Sequence, residues 1–198
     1  LAVACRRRRR AGAASSPGAF ELLRLSNDAL VEVVAPKVAS TLLVRVDSLP
    51  ERSFAEELEA ANCWATCRHD PFYPESLREA PGAPWALIAR GDSSILVGYE
   101  WSEAVTIVGA RRATTYGREV ARSLGHGLAA AGITVVSGLA FGIDSCVHRG
   151  ALEAGRTIAV LGCGPDTAYP AAHRNLWRKI TERGLVLSEL PPGASPWR

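Results

Sequence analysis

Between residues 104 and 190 one pattern recurs along the chain. A short apolar run leads into a glycine-containing turn and then into a segment of helical periodicity. The strand candidates are 86–90, 104–108, 133–137, 157–161 and 185–188, and the helix candidates between the later ones are 115–131, 143–154 and 172–183. Val105, Ile107 and Val108, then Ile133, Val135 and Val136, then Ile158, Val160 and Leu161 make nearly continuous apolar runs. Such runs suit a parallel sheet covered on both faces. The alternation predicts an α/β fold, a Rossmann-like doubly wound parallel sheet with right-handed crossovers.

Three successive runs end in glycine turns: Gly109-Ala110-Arg111-Arg112, Gly138-Leu139-Ala140-Phe141-Gly142 and Gly162-Cys163-Gly164-Pro165-Asp166. In an open parallel sheet these turns share the carboxyl edge, where such sheets bind ligands. Glycine lets the backbone approach a ligand, and the amides opening the next helix then face an anion. Three turns in series, with Arg111 beside the first, predict a phosphate site. Arg112 is a further candidate, as are Ser137 at the end of the second run and Gly138, Gly142, Gly162 and Gly164. The first turn is not G-x-G-x-x-G, and Ser137 stands where a ribose-binding carboxylate would be needed. No P-loop motif occurs either. Nicotinamide and flavin are therefore disfavoured and no cofactor is expected.

Asp144 and His148 are four apart and share one face of the helix that follows the second turn. They could be a base and its orienter, or a helix-start carboxylate and a structural imidazole. With no nucleophile or second carboxylate beside them, the structural reading is preferred. Tyr169 and Trp177 are candidates for base stacking or for core.

Composition sets the outer bounds. The chain has 198 residues, 47% hydrophobic and 22% charged, the balance of a soluble globular protein. No apolar run approaches the roughly 18–20 residues of a membrane span. The start, Leu-Ala-Val-Ala-Cys followed by Arg6 to Arg10, reverses the order of a secretory signal, and a cytoplasmic location is expected. Five cysteines fit a reduced compartment. Cys63, Cys67 and His69 match no common zinc spacing, so no metal is expected. The net charge of +3 says less than its placement in three blocks: Arg6–Arg10; Arg111, Arg112, Arg118 and Arg122; and Arg174, Arg178, Lys179 and Arg183.

The chain divides on composition into a basic, disordered segment (1–19), a small helical region (20–62), a linker and lead-in segment rich in Pro and Gly (63–85), and the α/β domain (86–198). In the helical region Leu22, Leu23, Leu25, Leu30, Val33 and Val34 cluster, Phe54, Leu58 and Ala61 recur near helical spacing, and Asp28 and Ser53 are candidate N-caps.

The motifs together resemble the DNA-processing protein A (DprA/Smf) family. Ile107-Val108-Gly109-Ala110-Arg111-Arg112 with Tyr116-Gly117 is similar to its opening strand and turn. Ser137-Gly138-Leu139-Ala140-Phe141-Gly142-Ile143-Asp144, with His148 and Ala151-Leu152, is similar to its most distinctive motif. Thr157 to Gly164, Asp166, Tyr169-Pro170 and Leu187-Ser188-Glu189 follow in order, and Asp70 with Tyr73-Pro74 and Leu77 precede them. The resemblance spans about residues 69–196. It implies a single-stranded DNA-binding recombination mediator, not an enzyme, that protects incoming DNA in natural transformation and loads the RecA recombinase. It also implies a homodimer when full length. Arg111 takes the phosphate-holding role of the family's G-[S/T]-R turn, with Ala110 in place of the hydroxyl residue. Arg174 and Arg178 are nearest to the family's basic contact after Tyr-Pro, and His173 stands where Asn is common. Asp144, His148, Asp166, Tyr169 and Pro170 carry over as structural motif residues. The family continues into an F-x-x-R-N-R segment and further strands where this chain stops at Pro196-Trp197-Arg198, so a sheet incomplete at its C-terminal end is expected. The alternatives are a nucleotide phosphoribohydrolase-like enzyme and an inactive truncated remnant.

Overall fold

The computed structural model describes residues 54–71, 73–96 and 104–196. The Arg6–Arg10 block, the apolar cluster from Leu22 to Val34, the caps proposed at Asp28 and Ser53, and the last two residues lie outside them. Ala55–Arg198 forms one compact unit.

Six strands form one sheet: β1 (Trp64–Cys67), β2 (Ala86–Gly91), β3 (Ala104–Thr106), β4 (Thr134–Ser137), β5 (Thr157–Leu161) and β6 (Leu185–Ser188), in the spatial order β1-β2-β6-β5-β4-β3. The pairs β3–β4, β4–β5 and β5–β6 are parallel. β2 runs antiparallel to both β6 and β1. Among the described residues the helices are α1 (Phe54–Ala60), α2 (Glu75–Arg78), α3 (Thr115–Ala130), α4 (Ile143–Ala154) and α5 (Arg174–Arg183). Short 3-10 turns are also described at Ser93–Ile95 and Ala171–His173. No described helix is long and apolar enough to cross a membrane.

The α/β, Rossmann-like class holds, but among the described residues the expected helices on both faces are not found. β3, β4, β5 and β6 lie side by side in chain order, so every crossover steps the same way. Right-handed crossovers that never reverse direction must leave all their helices on one face. Side chains agree. Val135 packs with Ala121, Ala129, Val147 and Ala151 of α3 and α4. Ala159, Leu161 and Val186 on the same face pack with Leu152, Leu176 and Ile180. The opposite face, with Val136, Ile158, Leu185 and Leu187, is covered by Ile95 and Leu96 from the 3-10 turn, and Val160 is left 47% exposed.

Local sequence explains the helices. Thr114 caps α3, its hydroxyl accepting the Gly117 amide at 3.1 Å. α3 buries only small residues, Ala121, Gly125 and Ala129, and so lies tightly against α4. A Cβ at Gly125 would meet the Val147 carbonyl oxygen at 2.3 Å, and one at Gly150 would meet that of Arg122 at 2.0 Å. Arg122 also binds Glu153 across this contact, its Nε donating at 3.0 Å. The strand read as 104–108 closes at Thr106, although the Ile107 amide still donates to Val136 at 3.0 Å. The helix read from 172 begins as a 3-10 turn and becomes α5 at Arg174. Within the stretch 63–85, β1 pairs with β2 as a strand that sequence periodicity did not reveal.

Candidate nucleic-acid interface

All three glycine turns follow parallel strands and therefore share the carboxyl edge. The middle turn organises its neighbour through one carboxylate. Asp144, 5% exposed in the first turn of α4, accepts the Gly109 amide on Oδ1 at 3.3 Å and those of Gly138 and Ala140 on Oδ2 at 3.2 and 3.4 Å. It thus ties the first turn to the second and meets the positive end of the α4 dipole. The amides of Gly109 and Gly138, expected to face a phosphate, face this internal anion instead.

Most of the glycines serve packing rather than ligand access. Gly142 has φ +81°, and a Cβ there would sit 2.1 Å from the Ala110 carbonyl oxygen and 2.7 Å from that of Arg111. The first turn is therefore seated directly on the second. A Cβ at Gly109 would strike Ile143 at 2.7 Å, and one at Gly164 would strike Asp166 Oδ1 at 2.5 Å. Gly162 is the exception among the turn glycines: it is exposed, and a Cβ there would meet nothing within 4 Å. Two predicted contact residues are buried inside the fold. Ser137, 2% exposed, donates its hydroxyl to the Ile107 carbonyl at 2.7 Å. Gly164 is buried and donates its amide to Ala194 at 2.9 Å. Both are committed to neighbouring backbone, so neither reaches the surface.

Asp144 and His148, four apart on α4, turn to different partners. His148 is fully buried, with Nδ1 2.8 Å from the Thr157 hydroxyl, which itself donates to the Val135 carbonyl at 2.7 Å. Nε2 is buried without a partner among the described residues. Burial drives the imidazole pKa down to about 3, with the neighbouring His173 adding to the drop and the Ser137 backbone opposing it. His148 is therefore neutral near pH 7 and does not bond to Asp144. His173, a position the sequence marked only as unusual, is also buried and donates from Nδ1 to the Leu139 carbonyl at 2.9 Å. That bond holds the second turn, where Leu139 has φ +61°. Phe141 packs edge-on against the same ring at 4.8 Å. Asp166 braces the third turn by accepting the Gly193 amide at 2.9 Å. Pro170 precedes the 3-10 turn that leads into α5, after a cis peptide with Tyr169.

The arginines fall into two groups. Arg111 and Arg112 in the first turn and Arg174 at the start of α5 are exposed, and form no ion pair among the described residues. Neither α3 nor α5 has an acidic residue in its first turn. Cations there oppose the helix dipole, an arrangement that makes sense if an anion arrives from outside. By contrast Arg118 is tied to the Ala113 carbonyl at 3.1 Å, Arg122 to Glu153, and Arg178 lies 3.9 Å from Glu182 one turn further along α5.

Exposed aromatics accompany the free arginines: Tyr116 at 77%, Phe141 at 47%, Tyr169 at 52% and Trp85 at 72%. Of these four, the sequence points to Tyr169 for stacking. Trp177 is partly buried, donates to the Pro165 carbonyl at 3.2 Å and carries the Arg90 guanidinium over its ring, so it belongs to the core. Among the described residues no group of three or more His, Cys, Asp or Glu could hold a metal ion. Burial raises the thiol pKa of both Cys63 and Cys163.

The fold and this edge define a Rossmann-like α/β protein whose strand-to-helix turns are locked together by an internal carboxylate and flanked by exposed arginines and aromatic rings. A family model described as DNA recombination-mediator protein A matches residues 64–198, and the chain belongs to that family. Protein Smf of Synechocystis sp. is 37% identical over 169 residues, covering 85% of this chain and 42% of that protein. The X-ray structure of DprA from Streptococcus pneumoniae superposes with a TM-score of 0.73 at 29% identity, covering 88% of this chain and 60% of that one. DprA from Helicobacter pylori, solved for its single-stranded DNA binding mode, gives a TM-score of 0.57 at 30% identity, over 63% of this chain and 56% of that one. The chain spans less than half the length of the curated relatives it matches.

Proposed function

We propose that this chain binds single-stranded DNA along the carboxyl edge of its sheet, as part of a recombination mediator that protects incoming DNA in natural transformation and passes it to the RecA recombinase. The observation that carries this reading is the pairing of exposed arginines, which form no ion pair among the described residues, with exposed aromatic rings. Arg111, Arg112 and Tyr116 lie at the start of α3, Arg174 and Tyr169 around the start of α5, and Phe141 between them. Cationic groups that track a backbone and rings that stack on bases are what sequence-tolerant single-strand binding requires. The H. pylori relative's single-stranded DNA binding mode supports the same reading. We read the function as binding rather than catalysis, because Asp144 is held by three amides and His148 is buried, neutral and bonded elsewhere. A homodimer, a cytoplasmic location and the absence of any cofactor belong to the same proposal.

Fluorescence anisotropy with labelled oligonucleotides tests it. Single strands should bind more tightly than duplex, and affinity should fall with salt at a log–log slope of about −0.7 per phosphate neutralised. Arg111→Ala should cost about 1.5–3 kcal/mol of binding, the value of a hydrogen bond to a charged group, and Arg111→Lys should recover part of it. A preference for duplex, or salt-independent binding, would overturn the proposal.

A further inference from the structure

The carboxyl edge continues past the glycine turns. β1 runs parallel to β6, and β2 runs antiparallel between them. The end of β1, the start of β2 and the end of β6 therefore meet on that same edge. They enclose an open cleft of about 650 Å3 whose lining includes Arg68, Ala83, Pro84, Trp85 and Glu189. We propose that this cleft is a nucleobase site, in which one base of the bound single strand stacks on Trp85 while Glu189 accepts a hydrogen bond from its exocyclic amino group. The proposal rests on the single-strand reading above and adds a position to it.

Trp85 is 72% exposed, yet it is firmly presented. The Arg68 amide donates to the Trp85 carbonyl at 3.0 Å. Tyr73, 2% exposed, donates its hydroxyl to the Pro84 carbonyl at 2.7 Å. Arg68 lies over the indole at 5.1 Å and is itself anchored by donating to the Arg78 carbonyl at 3.0 Å. The two carbonyl bonds fix the backbone that carries the indole, Arg68 and the His69 ring at 6.4 Å flank it, and the rest of its exposed surface is left for stacking. The cleft volume falls within the range of small-ligand sites. Its lining mixes one large ring and small residues with a cation and a carboxylate, which suits a flat heterocycle better than an apolar helix. A carboxylate accepts from cytosine N4 and finds no donor of that kind on thymine.

The site is four strand spacings from β3, about 19 Å across the sheet. A strand with a stacked repeat of about 3.4 Å needs on the order of five or six nucleotides to reach from Arg111 to Trp85.

Anisotropy with the whole chain and labelled dC and dT oligonucleotides, from trimers to dodecamers, tests this. The wild type should bind dC dodecamers on the order of tenfold more tightly than dT dodecamers, and Glu189→Ala should remove that difference. Trp85→Ala should lose on the order of tenfold on dodecamers and flatten the rise in affinity between trimers and hexamers. Trp85→Phe should restore most of both, which separates stacking from any damage to the fold. Arg111→Ala should weaken dC and dT equally and leave their ratio intact. If Trp85→Ala binds every length as the wild type does while Arg111→Ala is impaired, the cleft is not a base site and the single-strand reading stands. Equal wild-type affinity for dC and dT would overturn the role of Glu189. If neither dodecamer binds, the single-strand reading falls and this proposal falls with it.

Discussion

Asp144 should be worth more to this fold than its place near a helix start implies. Its carboxylate accepts amides at 3.3, 3.2 and 3.4 Å from two turns that are not contiguous in sequence, and it is 5% exposed. Asp144→Ala leaves three amides without that acceptor. Each bond is long, so the lower end of the unsatisfied-group penalty applies, about 1 kcal/mol apiece. Loss of a carboxylate from the helix N-terminus adds about 0.5–1 kcal/mol. The expected total is about 3–4 kcal/mol in urea unfolding, with the m-value unchanged. Asp144→Asn keeps one oxygen but turns an NH2 group toward an amide donor, and should cost about 2 kcal/mol. Hydrogen exchange should quicken at Gly109, Gly138 and Ala140 beyond the global effect, because those amides lose their partner. An Asp144→Asn variant within about 0.5 kcal/mol of wild type would refute the reasoning, since that is the scatter of inert surface changes. So would an Asp144→Ala variant of unchanged stability that binds no DNA, which would make the carboxylate a ligand-facing group.

Further outcomes follow from single residues. His148 has an ordinary pKa of 6.5 and a folded value of about 3, so between these the unfolded chain takes up a proton that the folded chain refuses. Stability should therefore fall as pH drops through that window, by about 2 kcal/mol near pH 5, and His148→Gln should flatten the acid side of the profile measured by denaturation. Gly142→Ala combines a φ of +81° with a Cβ 2.1 Å from a carbonyl oxygen, and should cost at least about 2 kcal/mol. Gly162→Ala meets open space, so stability should stay within about 0.5 kcal/mol while single-strand affinity drops if a phosphate approaches that turn.

How much of this was legible depends on range along the chain. The apolar runs that became β4, β5 and β6 and the periodicity of α4 are local signals, and the structure follows them to within a residue. β1 has four residues of mixed character between turn signals, and only its pairing with β2, some twenty residues on, makes it a strand. One-sided winding depends on strand order, which periodicity does not encode. The glycines were legible as turn positions, but their reason was not. Only tertiary packing reveals that Gly142 is pressed against Ala110 while Gly162 stands open. Asp144 was legible as a helix-start carboxylate, whereas its bond to Gly109 spans 35 residues. Trp85 carried no signal at all, because an indole in a Pro-flanked segment reads equally well as core.

The distribution of charge at the edge leads to one more expectation. Three helices point their N-termini at this edge, each worth roughly half a positive charge. Asp144 offsets the middle one, so positive potential is left at the flanks, at Arg111 and Arg112 before α3 and at Arg174 opening α5. These flanks follow β3 and β5, two strand spacings or about 10 Å apart. That separation exceeds the roughly 3.4 Å repeat of a stacked strand, so the two flanks should take non-adjacent phosphates, with the exposed Phe141 between them for an intervening base. Groups that far apart with no shared partner contribute additively to within about 0.5 kcal/mol. Arg111→Ala and Arg174→Ala should therefore sum in the double variant, and each should reduce the salt slope by about 0.7. Strong non-additivity, with the double variant no worse than either single one, would mean that both arginines hold the same phosphate. The middle turn would then not separate two sites.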